Sequence, residues 1–208
     1  MTDRNDSQFW DRVADRYAAR PIKDVAAYDA MLADAASRLT ASDRVLEIGC
    51  GTGGAAIRLG PCVTHWTATD ASSEMIRIAR SKAAPDNVTF TVADATPTGE
   101  GAPYDAVCAF LILHLVPDMR ATLAAIHRQL KPGGLLISKT YCVRDMNILM
   151  RRGVIPALQA FGVVPRFAVL SAADLRRAIT EAGFVIETAR TFGANRHAHY
   201  IVARKSAQ

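Results

Sequence analysis

The sequence has little of what marks a membrane, secreted or nucleic-acid-binding protein. No apolar run in its 208 residues approaches the roughly 20 residues of a membrane-spanning helix. The first six residues are polar and lack the apolar core of a signal peptide. No run of lysine and arginine is interleaved with aromatic residues, so we expect no nucleic-acid partner. Because half of the residues are hydrophobic, the composition predicts a globular protein, and we expect a cytoplasmic location.

Cysteines are few and widely spaced. The chain has four, none of them in a C-x-x-C pair and none with a histidine nearby at metal-ligand spacing. The spacing therefore predicts reduced thiols and no metal site. Cys50 lies within a glycine-rich run, where we interpret it as a small residue and not as a nucleophile.

The net charge of +5 comes from the last third of the chain. Residues 141–208 contain 10 Lys/Arg and 4 Asp/Glu, whereas residues 1–140 contain 15 and 16. Two interpretations remain open, a solvated face or attraction to an anionic substrate or a membrane surface. A peripheral membrane or lipid contact is therefore one of the expectations for this protein.

The most informative stretch is 45–54, which reads V-L-E-I-G-C-G-T-G-G. A short apolar run, a loop of alternating glycines and a helical pattern follow one another, which indicates a strand, a ligand-binding loop and a helix. Dinucleotide-binding loops have G-x-G-x-x-G, but here the third glycine comes one residue earlier. Glu47, two residues before the first glycine, would repel a pyrophosphate and attract an amino group.

This run, E-x-G-C-G-T-G, resembles motif I of the class I S-adenosylmethionine-dependent methyltransferases. The resemblance implies an α/β fold, a Rossmann-like, seven-stranded, mostly parallel sheet with helices on both faces and an N-terminal helical lid. It implies S-adenosylmethionine as the cofactor and S-adenosylhomocysteine as its product. In the family this loop holds the methionine moiety and the ribose, and the residues that match it are Glu47, Gly49, Cys50, Gly51, Thr52 and Gly53.

Further cofactor contacts are expected where the next strands end. Asp70 closes the second predicted strand, where a carboxylate can accept hydrogen bonds from both ribose hydroxyls. The resemblance adds residues around the adenine and the amino-acid end of the cofactor; these are Ala71, Met75, Ala93, Asp94, Ala95, Phe110 and Leu111. For Asp94, the alternative is a turn residue that ends its strand.

Residues 8–39 read as two amphipathic helices separated at Pro21. In the second helix, Asp24 is the predicted N-cap, and Val25, Tyr28 and Leu32 form the predicted apolar stripe. Further along the chain, the sequence Lys-Pro-Gly-Gly at 131–134 predicts a turn before the fifth strand.

The two N-terminal helices resemble the lid of small-molecule methyltransferases. Trp10 and Tyr17 are candidate lid contacts, Tyr17 to cofactor and substrate alike, although both would also suit simple packing on the sheet. His114, after the fourth strand, is the candidate general base, with a structural histidine as the alternative.

Residues 141–170 follow the fifth strand, where the family inserts substrate-binding elements. The segment is apolar and rich in methionine and arginine, which suits a hydrophobic substrate or merely a cover for the sheet. Tyr141 and Arg144 are its candidate substrate contacts, and basic residues here could hold an acidic group or a lipid headgroup.

We expect one domain over residues 1–208. Its parts are the N-terminal helical lid (8–40), the cofactor-binding half (41–140), the substrate-side insertion (141–170) and a C-terminal helix with an antiparallel strand pair (171–208).

The implied reaction is methyl transfer to a small, apolar or amphipathic acceptor by in-line displacement. The chain resembles small bacterial members similar to ubiquinone/menaquinone-biosynthesis and phospholipid methyltransferases. The alternatives are a catalytically silent cofactor-binding sensor or scaffold and a nicotinamide-dependent oxidoreductase, which should have G-x-G-x-x-G and no Glu47.

Overall fold

A computed structural model of the protein describes residues 4–96, 103–165, 167–194 and 196–206. The α-helices are α1 (Arg4–Ala18), α2 (Val25–Ala36), α3 (Gly54–Leu59), α4 (Ser73–Arg80), α5 (Met119–Gln129), α6 (Ile155–Ala160) and α7 (Ala172–Glu181). The strands are β1 (Arg44–Ile48), β2 (His65–Asp70), β3 (Val88–Val92), β4 (Tyr104–Phe110), β5 (Leu130–Tyr141), β6 (Phe184–Thr191) and β7 (Ala198–Lys205).

The seven strands form one sheet in the order β3-β2-β1-β4-β5-β7-β6. All neighbouring pairs are parallel except those of β7, which is antiparallel to both β5 and β6. This confirms the predicted Rossmann-like α/β fold. The strand order reverses between β1 and β4, and ligands of open α/β sheets bind beyond the carboxyl ends of the strands at such a point.

Apolar side chains cover both faces of the sheet. On one face Trp66 and Tyr200, both fully buried, pack in a cluster that includes Met31 of α2. On the other face Leu136 packs in a cluster that includes Leu123 of α5. Strands covered on both faces need nearly continuous apolar sequence, which explains why β1 and β4 read as apolar runs and do not alternate.

The two N-terminal helices are attached to the edge of the sheet where the strands end. The carboxylate of Asp11 in α1 accepts hydrogen bonds from Ser72 Oγ (2.6 Å) and Glu74 N (3.2 Å) at the start of α4. Asp24 caps α2 as predicted, with its Oδ1 3.0 Å from Ala27 N. α1 is therefore anchored to the helix that begins directly after β2.

Two details of the prediction are wrong. Val25 was assigned to the apolar stripe of α2, but it is exposed, and the helix buries the face that carries Met31, Leu32 and Ala35. The Lys-Pro-Gly-Gly sequence was predicted to be a turn before the fifth strand. It lies inside β5, where the register shifts between the pairs Tyr104–Leu130 and Ala106–Leu135, so these residues form a bulge.

The segment between β5 and α7 projects apolar side chains outward. It contains a wide helical turn, Met150–Val154, that continues into α6. Ile148, Leu149 and Phe161 are all more than half exposed. Among the described residues, no helix combines the length and apolar character needed to cross a membrane.

Candidate functional site

A cavity of about 520 Å³ lies at the carboxyl edge of the sheet, between the strand ends and the N-terminal helices. Its volume is within the range of small-molecule binding sites. Most of the predicted cofactor residues line it: Tyr17, Glu47, Gly49, Cys50, Gly51, Thr52, Asp70, Ala71, Met75, Ala95, Phe110 and Leu111. Residues that are distant in the chain thus meet around one space.

The glycine loop needs glycine for two different reasons. All three alternating glycines have positive φ, which other residues rarely adopt. A Cβ on Gly51 would meet only Tyr17 Cε1 at 4.0 Å, so the backbone there faces open space in the cavity. A Cβ on Gly53 would lie 2.8 Å from the ring of Phe90, so that glycine permits packing of the loop on β3.

Asp70 joins the glycine loop to the end of β2. Its Oδ2 accepts from Gly51 N at 2.8 Å, and its Oδ1 accepts from Ser72 N at 2.9 Å. Burial raises the pKa of this carboxyl, and the two backbone N–H groups oppose that rise. The carboxylate fixes the loop while one side of it remains on the cavity wall.

Glu47 is a buried carboxyl at the same end of the cavity, with 2% of its surface exposed. Burial raises its pKa to about 8, and the charge of Asp70 adds to the rise. Trp66 Nε1 donates to Glu47 Oε2 at 3.0 Å, which opposes it. Two carboxyl groups that burial makes hard to ionise are arranged to favour a positively charged ligand.

Most of the remaining wall is apolar, although it also includes Arg20 and Lys82. Trp10, Tyr17 and Ile22 come from α1 and the loop after it, and Tyr28 comes from α2. The segment after β4 contributes a second set, which is Ile112, Leu115 and Val116. Sequence reasoning missed Ile22, Tyr28 and this second set, because only the folded chain shows which side chains of these segments face the cavity.

Leu111, which lines the cavity, has an unusual backbone conformation. It is the one described residue other than glycine with positive φ, at 59°. Its N–H donates to Lys139 O at 2.6 Å, across the end of β5. Unusual backbone of this kind is uncommon and is often found at ligand-binding sites.

Three predicted cofactor residues are not on the described cavity wall. Gly53 lies beneath the loop against Phe90. The N–H of Ala93 donates to Asp70 O at 3.0 Å, and Asp94 accepts from Thr96 N at 3.3 Å, so both lie beside the wall residue Ala95. Their contacts with a cofactor stay a prediction.

The candidate base and two substrate residues also lie off the described wall. His114 is buried, with its ring 5.4 Å from that of Tyr141, and burial lowers its pKa to about 4. Its Nδ1 has no hydrogen-bond partner among the residues that the structure describes. Arg144 is exposed and pairs with Asp174 at 3.0 Å. The roles of His114, Tyr141 and Arg144 stay predictions, whereas Trp10 and Tyr17 do line the cavity.

A family model described as a methyltransferase domain matches residues 13–189. The biotin biosynthesis bifunctional protein BioCD of Bordetella avium is 35% identical over 145 residues, which are 67% of this chain and 31% of that protein. The ubiquinone/menaquinone biosynthesis C-methyltransferase UbiE of Agrobacterium fabrum is 28% identical over 70% of this chain and 58% of that protein. The chain thus matches less than two thirds of the length of these relatives.

Two solved structures are similar over nearly all of their own chains. The DhpI complex with S-adenosylhomocysteine has a TM-score of 0.74 at 20% identity, covering 98% of this chain and 96% of that one. An S-adenosylmethionine-dependent methyltransferase from Mesorhizobium loti has a TM-score of 0.68 at 20% identity, covering 86% and 99%. At this identity the likeness establishes the fold.

Replacing Asp70 should weaken binding of S-adenosylhomocysteine. Alanine removes both backbone hydrogen bonds and the acceptor for ribose, and asparagine turns an N–H toward one of the two backbone donors. We expect Asp70→Ala and Asp70→Asn to lose about 1–3 kcal/mol of binding free energy by isothermal titration. Asp86→Asn, at an exposed carboxylate, is the control. Unchanged affinity in both Asp70 variants would remove Asp70 from the site.

Glu47 should make the stability of the ligand-free protein fall with rising pH. The folded carboxyl keeps its proton to about pH 8, whereas its ordinary pKa is 4.5, so the folded state binds more protons between these values. The free energy of unfolding should therefore decrease by about 1.4 kcal/mol per pH unit in this window from this group alone. Glu47→Gln retains an acceptor for Trp66 and should lose this contribution.

Urea unfolding of the wild type, Glu47→Gln and the exposed control Asp86→Asn measures the effect across the window. We expect the stability advantage of Glu47→Gln to widen as pH rises from 4.5 to about 8 and then to level off. Parallel curves for the wild type and Glu47→Gln would show that Glu47 is ionised in the folded protein.

Proposed function

We propose, from the premise that this chain belongs to the class I S-adenosylmethionine-dependent methyltransferase family, that it methylates a small apolar or amphipathic acceptor. The observation that carries the proposal is the mixed character of the cavity wall. It combines the backbone of Gly51, the buried carboxyl of Glu47 and the half-buried carboxylate of Asp70 with a mostly apolar surface. A polar, cationic cofactor and an apolar acceptor would each find a matching surface there.

The cofactor end fits S-adenosylmethionine on three features of this chain. Gly51 leaves room for close approach of a ligand to the backbone. The carboxylate of Asp70 would accept hydrogen bonds from the ribose hydroxyls, and Glu47 would hold the ammonium group. A bound cation near Glu47 would lower the pKa of its carboxyl, so binding would release the proton that burial retains.

When bound, S-adenosylmethionine would supply a methyl group activated on a sulfonium. An acceptor atom would attack the methyl carbon in line with the carbon–sulfur bond, which breaks, and S-adenosylhomocysteine would leave with the bonding electrons. The task of the protein is then alignment in a dry space. Phe110 and Leu111 lie at the end of β4 and line the cavity. Ile112, Leu115 and Val116 follow directly and would hold the acceptor beside the reacting carbon.

The N-terminal helices would act as a lid. Trp10 and Tyr17 are in edge-to-face contact, with ring centroids 5.8 Å apart, and both line the cavity. α1 is anchored on α4 through Asp11, so the lid rests on the helix that begins beside the expected ribose site. Closure of these aromatic side chains over the ligands would exclude water.

An amphipathic acceptor of this kind would be a long-chain quinol or a phospholipid. Such an acceptor is favoured by the exposed side chains of Leu149 and Phe161, which lie near the cationic Arg151 and Arg152 in the chain. Apolar side chains beside arginines suit the interface of an anionic membrane. This acceptor would reach the cavity from a surface and not from free solution.

Methyl-labelled S-adenosylmethionine tests the proposal against a panel of acceptors. The panel contains amines, phenols, short apolar acids, a long-chain quinol and phospholipid vesicles, and the readout is label in the acceptor together with S-adenosylhomocysteine. We expect transfer to an apolar or amphipathic member. Binding of S-adenosylhomocysteine without transfer to any member would favour a silent sensor or scaffold, and transfer only to polar members would contradict the assignment of the apolar wall.

For the acceptor that responds, Ile22→Ala should lower kcat/KM by about tenfold, because it removes apolar contact from the wall. The affinity for S-adenosylhomocysteine should stay within about twofold. Val25→Ala is the matched control, since Val25 is similarly exposed but lies outside the described wall. Equal loss in both variants would contradict the assignment of Ile22.

His114→Ala separates the two readings of His114. If the imidazole is the base, turnover falls and the affinity for S-adenosylhomocysteine does not change. The low pKa keeps the imidazole neutral at neutral pH, the form that accepts a proton, and places its own titration near pH 4. Turnover that is unchanged in His114→Ala would leave His114 with only its packing against Tyr141.

A further inference from the structure

Three potential metal ligands that are far apart in the chain meet where β5 ends and β7 begins. They are Cys142, Asp145 and His199, and the ligating atoms of all three lie within 4.8 Å of one another. Cys142 is buried, Asp145 is exposed and His199 is half-buried. None of them lines the described cavity, so the cluster is separate from the candidate methyltransferase site.

The pairing of the two strands explains why these side chains meet. His199 is opposite Thr140 in the antiparallel pair of β5 and β7, and Cys142 lies two residues beyond Thr140. Because side chains alternate in extended chain, Cys142 and His199 are on the same face as diagonal neighbours. The N–H of Cys142 donates to His197 O at 2.8 Å, which continues the pairing past the end of β5.

Asp145 is held in position by the start of α7. Its Oδ2 accepts from Ala172 N at 2.8 Å. A hydrogen bond of this kind, from a group behind the ligand, orients carboxylates in metal sites. The short helical turn Val143–Asp145 brings the carboxylate back toward Cys142 within three residues.

We propose that Cys142, Asp145 and His199 bind one Zn²⁺ ion per chain. A thiolate, an imidazole and a carboxylate together are a zinc donor set, whereas Mg²⁺ and Ca²⁺ prefer oxygen ligands alone. Tetrahedral zinc would bring its donor atoms to about 3.4–3.6 Å from one another. A small adjustment of the half-buried His199 and the exposed Asp145, whose carboxylate would keep its hydrogen bond to Ala172 N, would bring the donor atoms to these distances. A water would complete the coordination.

A cysteine binds zinc as a thiolate. The incoming ion would therefore displace the proton of the Cys142 thiol to solvent as the metal–sulfur bond forms.

The ion would fasten the long segment after β5 to the sheet. Cys142 and Asp145 lie where this segment begins, and His199 belongs to β7. Thermal stability should accordingly increase when the ion binds, independently of any methyl transfer.

Titration of the reduced, chelator-treated protein with Co²⁺, followed by competition with Zn²⁺, tests the site. We expect one ion per chain and a thiolate-to-cobalt charge-transfer band that Zn²⁺ abolishes. Saturating Zn²⁺ should raise the melting temperature by roughly 5–10 °C. Calorimetry in buffers of different ionisation enthalpy should report about one proton released per Zn²⁺.

Matched variants locate the ion. Cys142→Ser and His199→Ala should lose the charge-transfer band or weaken Zn²⁺ binding at least tenfold, whereas Cys62→Ser and His65→Ala should match the wild type. Asp145→Asn, at an exposed position, should weaken binding without changing the melting temperature of the metal-free protein. A wild type without the band, or a band that survives in Cys142→Ser or disappears in Cys62→Ser, would overturn the proposal.

Discussion

The arrangement of the site depends on the carboxylate of Asp70. It accepts one hydrogen bond from the glycine loop after β1 and another from the first turn after β2. The segments that follow two neighbouring parallel strands thus donate hydrogen bonds to the same side chain. The conformation of the glycine loop is therefore coupled to the start of α4. The N-terminal helix is coupled to the same place, because Asp11 accepts from Ser72 and Glu74. The glycine loop, the end of β2 and α1 are therefore connected by a few hydrogen bonds to the carboxylates of Asp70 and Asp11.

Ionising the two carboxyls beside the glycine loop, those of Glu47 and Asp70, is energetically unfavourable without a ligand. Glu47 is buried and Asp70 is half-buried. The charge of Asp70 adds to the cost of ionising Glu47, and the charge of Asp11 adds to the cost of ionising Asp70. Trp66 and the backbone N–H groups offset only part of these costs. A cationic ligand would offset much of the rest. The same two carboxyls disfavour a pyrophosphate, which is why a nicotinamide dinucleotide does not suit this loop. The two carboxyls of the protein thus favour a cationic cofactor over a dinucleotide.

The sequence predicted the parts of the protein that local patterns specify. The strand–glycine loop–helix pattern and the acidic residue closing β2 indicated the ligand-binding loop and Asp70. The family resemblance that starts from this loop implied the fold and the other predicted cofactor residues, and twelve of the predicted cofactor residues line the cavity. The caps Asp24 and Ser72 were also predictable, because a cap is defined by its neighbours three residues away. The Lys-Pro-Gly-Gly turn was misassigned because a bulge within a strand has the same glycine signal as the end of one.

The sequence could not predict which residues distant in the chain lie side by side once the strands are ordered in the sheet. Ile22 and Leu115 belong to segments without a motif, and only the folded chain shows that both line the same cavity. Cys142 and His199 are 57 positions apart, and spacing rules for metal ligands assume neighbours in one loop or hairpin. Their meeting follows from the antiparallel insertion of β7 beside β5. The family resemblance implied an antiparallel strand pair at the C-terminal end, but the prediction included neither the strand beside which β7 lies nor its register. A shift of one residue in that pairing would turn His199 to the opposite face, so the proposed site depends on register in the same way that the cofactor loop depends on Asp70.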